Sequence, residues 1–165
     1  MFVKESRGIS VKLATLAFSL VCASTLISPL GTAFASSEVH CRKVVGKLLD
    51  EHIEGPVAVA QMTGAIKGKY VYTLKDQFPA DAVLSNLLYT TGTSVVETKD
   101  GTLSFFETSS LDAAELGNLN GAVLMTITGG TGQWTVATGH IVLVGFFNQE
   151  TQTGAWRYQG EVCLP

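Results

Sequence analysis

Glu107 follows Leu103 and Phe105 at a spacing of two residues, so a strand through this segment turns all three side chains to one face. If that face lies inside a closed sheet, the carboxyl is taken out of water and its pKa rises. It then serves as a general acid, or as an anchor for the polar head of a ligand. The alternative place for Glu107 is a strand end, in solvent at the rim. The same alternation sets Tyr70, Tyr72 and Leu74 against Lys69, Val71, Thr73 and Lys75, and sets Trp156, Tyr158 and Val162 against Arg157, Gln159 and Glu161. Tyr70, Tyr72, Trp156 and Tyr158 are therefore expected to point inward. There they either fill ordinary core or wall a pocket whose ring edges offer hydrogen bonds to an amphipathic molecule. Trp134 is expected to plug one end of the same enclosure, with a ligand lid as the other reading.

Other residue types with chemical potential read as structural. His140 opens a strand and is read as a hydrogen-bonded structural histidine rather than a base. His40, Cys41 and His52 could suggest metal, but adjacent His-Cys is poor ligand spacing and Cys41 has a better use, so no metal is expected. Gly129, Gly130 and Gly132 are followed by Gln133-Trp134 and a further strand. A phosphate loop would need Lys-Ser/Thr and a helix there. No Ser-His-Asp spacing is visible, and no cofactor is expected.

The start of the chain reads as an address. Lys4, Arg7 and Lys12 precede an apolar run from Leu13 to Ile27; Pro29 and Gly31 then bend the chain ahead of Ala33-Phe34-Ala35. That is the pattern of a signal peptide cleaved before Ser36, with a retained anchor as the rival. The expectation is a cleaved segment, 1–35, and one domain, 36–165, secreted or periplasmic. Cleavage removes three of the 11 Lys+Arg and one of the 14 Asp+Glu, leaving 8 and 13 and a net charge of −5. No basic patch is present, so nucleic acid is an unfavoured partner, and no membrane association is expected once the leader is gone. Cys22 leaves with the leader. Cys41 and Cys163 remain at opposite ends of an exported domain and read as one disulfide between first and last strands, both sulfurs on the solvent face, with two free thiols as the alternative.

Positioning all these residues falls to strands. The expected segments are 42–50, 56–66, 68–76, 86–98, 101–108, 121–128, 139–147 and 154–163. Turn chemistry separates them, most clearly Asp100-Gly101 between two Thr/Val-rich runs. Leu111 to Leu116 is expected to form at most one helical turn. Eight antiparallel strands in sequence, with the ends tied, predict an all-β, up-and-down barrel, since closure removes exposed edges. A β-sandwich is the alternative. Ala58, Ala60 and Met62 oppose Val57, Val59, Gln61 and Thr63, so small residues on one face leave room inside or accommodate Trp134. The seventh strand is apolar on both faces: His140, Val142, Val144 and Phe146 alternate with Ile141, Leu143, Gly145 and Phe147. Its outer face is expected to be covered by a loop or by a second subunit.

The run Ile127-Thr128-Gly129-Gly130-Thr131-Gly132, an aromatic at Trp134, and then Ala137-Thr138-Gly139 resembles the corner of allene oxide cyclase-like and dirigent-like barrels, most closely in exported bacterial proteins. Tyr89-Thr90-Thr91-Gly92-Thr93, Thr98-Lys99-Asp100-Gly101-Thr102-Leu103 and the ending Gly160-Glu161-Val162-Cys163-Leu164-Pro165 belong to the same resemblance, which spans about Gly64 to Pro165. It implies the eight-stranded barrel. It also implies one of three activities: cyclisation of a reactive fatty-acid epoxide, steering of radical coupling, or polyketide cyclisation. The plant cyclases' opening motif has no counterpart between Cys41 and Pro56, so the resemblance assigns no catalytic residue. The plant relatives' trimers agree with a homo-oligomer through the seventh strand.

Three functions follow as expectations. The first is a binding barrel for a small apolar or amphipathic ligand, walled by Tyr70, Tyr72, Trp156 and Tyr158 with Trp134. The second is an isomerase or cyclase on a lipid-like or polyketide substrate, with Glu107 as its polar candidate. The third is a structural or interaction barrel with a filled core.

Overall fold

Period-two alternation of apolar and polar residues, interrupted by Gly, Asp and Asn at the turns, folds this chain into strands joined by short connections. In the computed structural model the described residues are 38–80, 86–113 and 117–165, with the side chains of Asp50 and Glu51 outside the description. The leader reading, 1–35, therefore lies outside them. Eight strands follow in order: β1 (His40–Glu54), β2 (Val57–Gly64), β3 (Gly68–Pro79), β4 (Leu87–Thr98), β5 (Gly101–Asp112), β6 (Asn118–Gly130), β7 (Thr138–Asn148) and β8 (Thr153–Leu164). Each pairs antiparallel with the next, and β8 pairs back onto β1, closing the barrel. Neither edge is left open, which excludes the sandwich.

Closure is set by a long register between β1 and β8, running from His40 opposite Leu164 to Asp50 opposite Gly154. Cys41 stands directly across from Cys163 in that ladder, and the two form a disulfide spanning 122 residues. Cys41 is exposed as expected. Cys163 is only 9% exposed, because Cys41 covers it on one side and β7 lies beside it on the other, with Thr138 opposite.

Most strands run longer than the alternation indicates. Leu111 and Asp112 do not start a helical turn; they extend β5, paired with Leu88 and Leu87 of β4. Residues 114–116 of that expected turn lie outside the described residues. Among the described residues no loop covers the outer face of β7: Val144 is 60% and Phe146 43% exposed.

The barrel has two unlike ends. One carries the connections 64–68, 98–101 and 130–138, and it is packed solid by Val44, Met62, Ile66, Leu103, Ile127 and Val162. Trp134, in the 3-10 turn Gly132–Trp134, lies 3% exposed at this end and donates from Nε1 to Thr98 Oγ1 at 3.0 Å. The Arg42 guanidinium sits 5.7 Å from the ring centroid, within cation–π range. Glycine is required at this corner. Gly132 has φ +60, and a Cβ there would meet Asp100 O, while one on Gly101 (φ +127) would meet Thr131 O. The β4–β5 hairpin and the β6–β7 corner thus close the end by backbone contact, with Gln133 N donating to Asp100 O at 3.1 Å. The other end carries the connections 54–57, 79–87, 112–118 and 148–153, and the interior beneath it is not filled.

Candidate functional site

A cavity of about 120 Å³ occupies the unfilled half of the barrel. Its lining divides into two walls. Leu48, Ala58, Leu111, Val123, Leu143 and Trp156 make an apolar wall; Tyr70, Tyr72, Thr90, Glu107 and Ser109 make a polar one on β3, β4 and β5. Thr90, Ser94 and Glu107 are the buried polar side chains among the described residues, and all three belong to that polar side.

Glu107 lies in the middle of β5, not at a rim, and is 3% exposed. The reason is the length of β5, which runs on to Asp112 and extends the barrel wall beyond it. Tyr70 Oη, from β3, donates to both carboxyl oxygens at 2.9 Å, and Ser94 Oγ, from β4, donates to Oε1. Directly opposite Glu107 on β4 stands Gly92, and the Tyr72 ring occupies the space that a Cβ at Gly92 would need. Tyr72 Oη then meets Thr90 Oγ1 at 3.4 Å, and Thr90 Oγ1 meets Ser109 Oγ at 2.6 Å. Hydroxyls therefore line the wall on either side of the buried carboxyl.

Electrostatics follow from burial. None of the described lining residues is Lys, Arg or His, so the carboxyl has no cation to offset lost hydration. Desolvation raises the Glu107 pKa from 4.5 to about 7, against the opposing hydrogen bonds from Ser94 and Tyr70. Burial, and next the adjacent Glu107 charge, push the Tyr70 phenol well above its ordinary value, so it stays a proton donor. Burial likewise raises Tyr72. The group in this wall that changes charge near neutral pH is the carboxyl.

The chain matches no protein-family model, no curated protein and no solved structure. What the site can do rests on its own residues.

Of the residues singled out from sequence, Tyr70, Tyr72, Trp156 and Glu107 come together around the cavity. Tyr158 and Trp134 do not line it. Tyr158 is buried deeper, its ring over Gly46, where its hydroxyl accepts from Ile66 N at 2.9 Å and donates to Ile66 O at 3.2 Å. Trp134 sits at the packed end, so it is a plug and no lid for this cavity. The small residues of β2 divide as well: Ala58 lines the cavity, while Ala60 and Met62 are fully buried core. His140 is exposed on β7 and lines no part of this site. Ser94, Thr90 and Ser109 join the site without having stood out in the sequence. Their signal is nonetheless present, since Thr90, Gly92 and Ser94 share a face at period two, and Ser109 continues the series of Leu103, Phe105 and Glu107.

Proposed function

We propose that this protein is a binding barrel for a small amphipathic molecule, held with its apolar part against Leu48, Ala58, Leu143 and Trp156 and its polar end at Glu107. The observation that carries this reading is the cavity itself: an apolar hollow with one deeply buried, hydroxyl-bonded carboxyl in its wall. A core without a ligand role does better with an apolar residue at position 107, because the buried carboxyl costs stability. A filled structural barrel is disfavoured for the same reason. The volume is of the order that holds a single ring, since a cavity of ~150 Å³ takes up benzene. Titration with a neutral ring alcohol such as benzyl alcohol tests the reading by calorimetry. Saturable binding that Ala58→Phe abolishes, with the fold intact by circular dichroism, is the expected result. Failure of benzyl alcohol and of its charged analogues benzylamine and benzoate to bind, or binding indifferent to Ala58→Phe, would overturn it.

A second reading is favoured by the burial of the Glu107 carboxyl in a described lining that holds no cation, which raises its pKa to about 7. A carboxyl poised there accepts and returns a proton near neutral pH. An isomerisation or cyclisation that moves a proton within one substrate needs no more than this and is redox-neutral. The resemblance to allene oxide cyclase-like barrels implies cyclisation as an activity but assigns no catalytic residue, so the role given to Glu107 rests on its place in the cavity wall. Under this reading, Glu107→Gln abolishes turnover of a reactive substrate while binding survives. Export belongs to the proposal too: a Cys41–Cys163 disulfide suits an oxidising compartment, in line with residues 1–35 acting as a secretory address.

A further inference from the structure

The open valences at Glu107 narrow the ligand class, on the premise that the cavity is a binding site. A carboxylate has about four acceptor positions. Tyr70 and Ser94 supply one O–H each, and the Tyr70 proton is shared between Oε1 and Oε2. Acceptor capacity is therefore left over. The titratable groups that face the carboxyl are phenols, Tyr70 and Tyr72 on β3. The other strands bring uncharged groups: Gly92 and Ser94 on β4 and Met125 on β6 beside Glu107, and Leu48 on β1, Ala58 on β2, Leu143 on β7 and Trp156 on β8 in the same cavity lining.

We propose that the cavity takes a protonated primary amine bearing a compact apolar group, with the ammonium on Glu107 and the apolar group against Trp156 and Leu143. Three features converge on that class. The ammonium has three donors and no acceptor, complementary to a carboxyl that needs donors. It supplies the positive charge that the lining lacks, so burial of each ion is offset by the other. Tyr72 and Trp156 bring aromatic rings to the same space, a setting that favours a cation. The chain's net charge of −3 draws cations rather than anions toward it. An anionic ligand finds no basic side chain among the described lining residues.

Calorimetric titration with benzylamine, benzyl alcohol and benzoate separates the possibilities, because the three share one ring and differ in charge. Benzylamine is expected to bind at pH 8 at least about tenfold more tightly than benzyl alcohol, as one charge-assisted contact implies. Between pH 8 and pH 6 its affinity should fall by close to tenfold, since protonation of a carboxyl with pKa about 7 competes with the amine, which itself stays protonated throughout. Glu107→Gln should remove both the preference and the pH dependence. Benzyl alcohol binding as tightly as benzylamine, or benzoate binding best, would overturn the amine assignment and leave the binding site standing. Failure of all three ligands would overturn the site itself, and the amine with it.

Discussion

Replacement of Glu107 by Gln should stabilise this protein at alkaline pH, the reverse of what removal of a buried, hydrogen-bonded residue usually does. In the unfolded chain the carboxyl ionises at its ordinary 4.5; in the barrel, burial holds the proton to about 7. Below pH 4.5 both states carry the proton, and the group contributes no pH dependence. Between 4.5 and about 7 the native state binds more protons than the unfolded one, so stability falls as pH rises. Above about 7 the loss is complete. Holding a proton at about 7 rather than 4.5 corresponds to about 3 kcal/mol. At 3% exposure there is little solvent to screen that figure. The glutamine side chain of the variant keeps the shape, and its amide can accept from Ser94 and Tyr70 but cannot ionise. Urea unfolding of both proteins from about pH 4 to about pH 9 provides the assay. The difference between the two curves should be flat at low pH and then shift in favour of Glu107→Gln, by about 2–3 kcal/mol at about pH 8. Other titrating groups are common to both proteins and cancel. Parallel curves across the whole range would refute the reasoning, because Glu107 would then be solvated or paired in the native state.

Further outcomes follow from the same geometry. Tyr70→Phe removes a donor to the carboxylate, so the carboxyl should hold its proton to higher pH than in the parent, and stability should drop by about 1 kcal/mol where Glu107 is ionised. Equal titration in the two proteins would show that Tyr70 does not hold the carboxylate. Removing the disulfide with Cys41→Ser and Cys163→Ser should cost about 4–5 kcal/mol, given a sequence separation of 122 residues, as read by urea unfolding. Gly92→Ala drives a Cβ into both the Tyr72 ring and the Thr73 carbonyl, so stability and binding of benzyl alcohol should both weaken; unchanged affinity and stability would mean that the ring and the β3–β4 pairing can both give way. The outer row of β7, half-buried Val142 with exposed Val144 and Phe146, is expected to be covered by a second copy of the chain, and Val144→Lys should turn an oligomer into a monomer in native mass spectrometry. A monomeric parent would contradict that.

The barrel is legible in the sequence because side-chain direction in a strand has period two and turn residues mark the ends. That is why alternation places Glu107, Tyr70, Tyr72 and Trp156 inward, and why Cys41 and Cys163 can be matched. Depth along the barrel axis is not legible. Tyr158 and Trp156 share a face on β8 two residues apart, yet one is packed on Gly46 and the other lines the cavity. Alternation says inside or outside, while register with neighbouring strands decides which end. Register shifts between Asp50 and His52, Leu74 and Asp76, and Ser104 and Phe105 alter that register locally, and none has a sequence mark strong enough to read in advance. The length of β5 is hidden because Leu111 to Leu116 mixes apolar and acidic residues in a way that fits a helical turn equally well. Pairing with β4, a long-range contact, overrides that local pattern. Ser94 and Thr90 are hidden for a different reason. Serine and threonine inside a barrel look like turn or surface residues until a buried acceptor is known to face them.

The most direct test of the central claim follows the Glu107 carboxyl itself. In protein labelled with carbon-13 at the glutamate side-chain carboxyl, the resonance assigned by its loss in Glu107→Gln should titrate near a pH of about 7 in the free protein. It should also shift saturably when benzyl alcohol is added at fixed pH, and Ala58→Phe should suppress that shift. A Glu107 resonance that titrates near 4.5 and stays unmoved by the ligand would place the carboxyl in solvent and contradict a binding site inside this barrel.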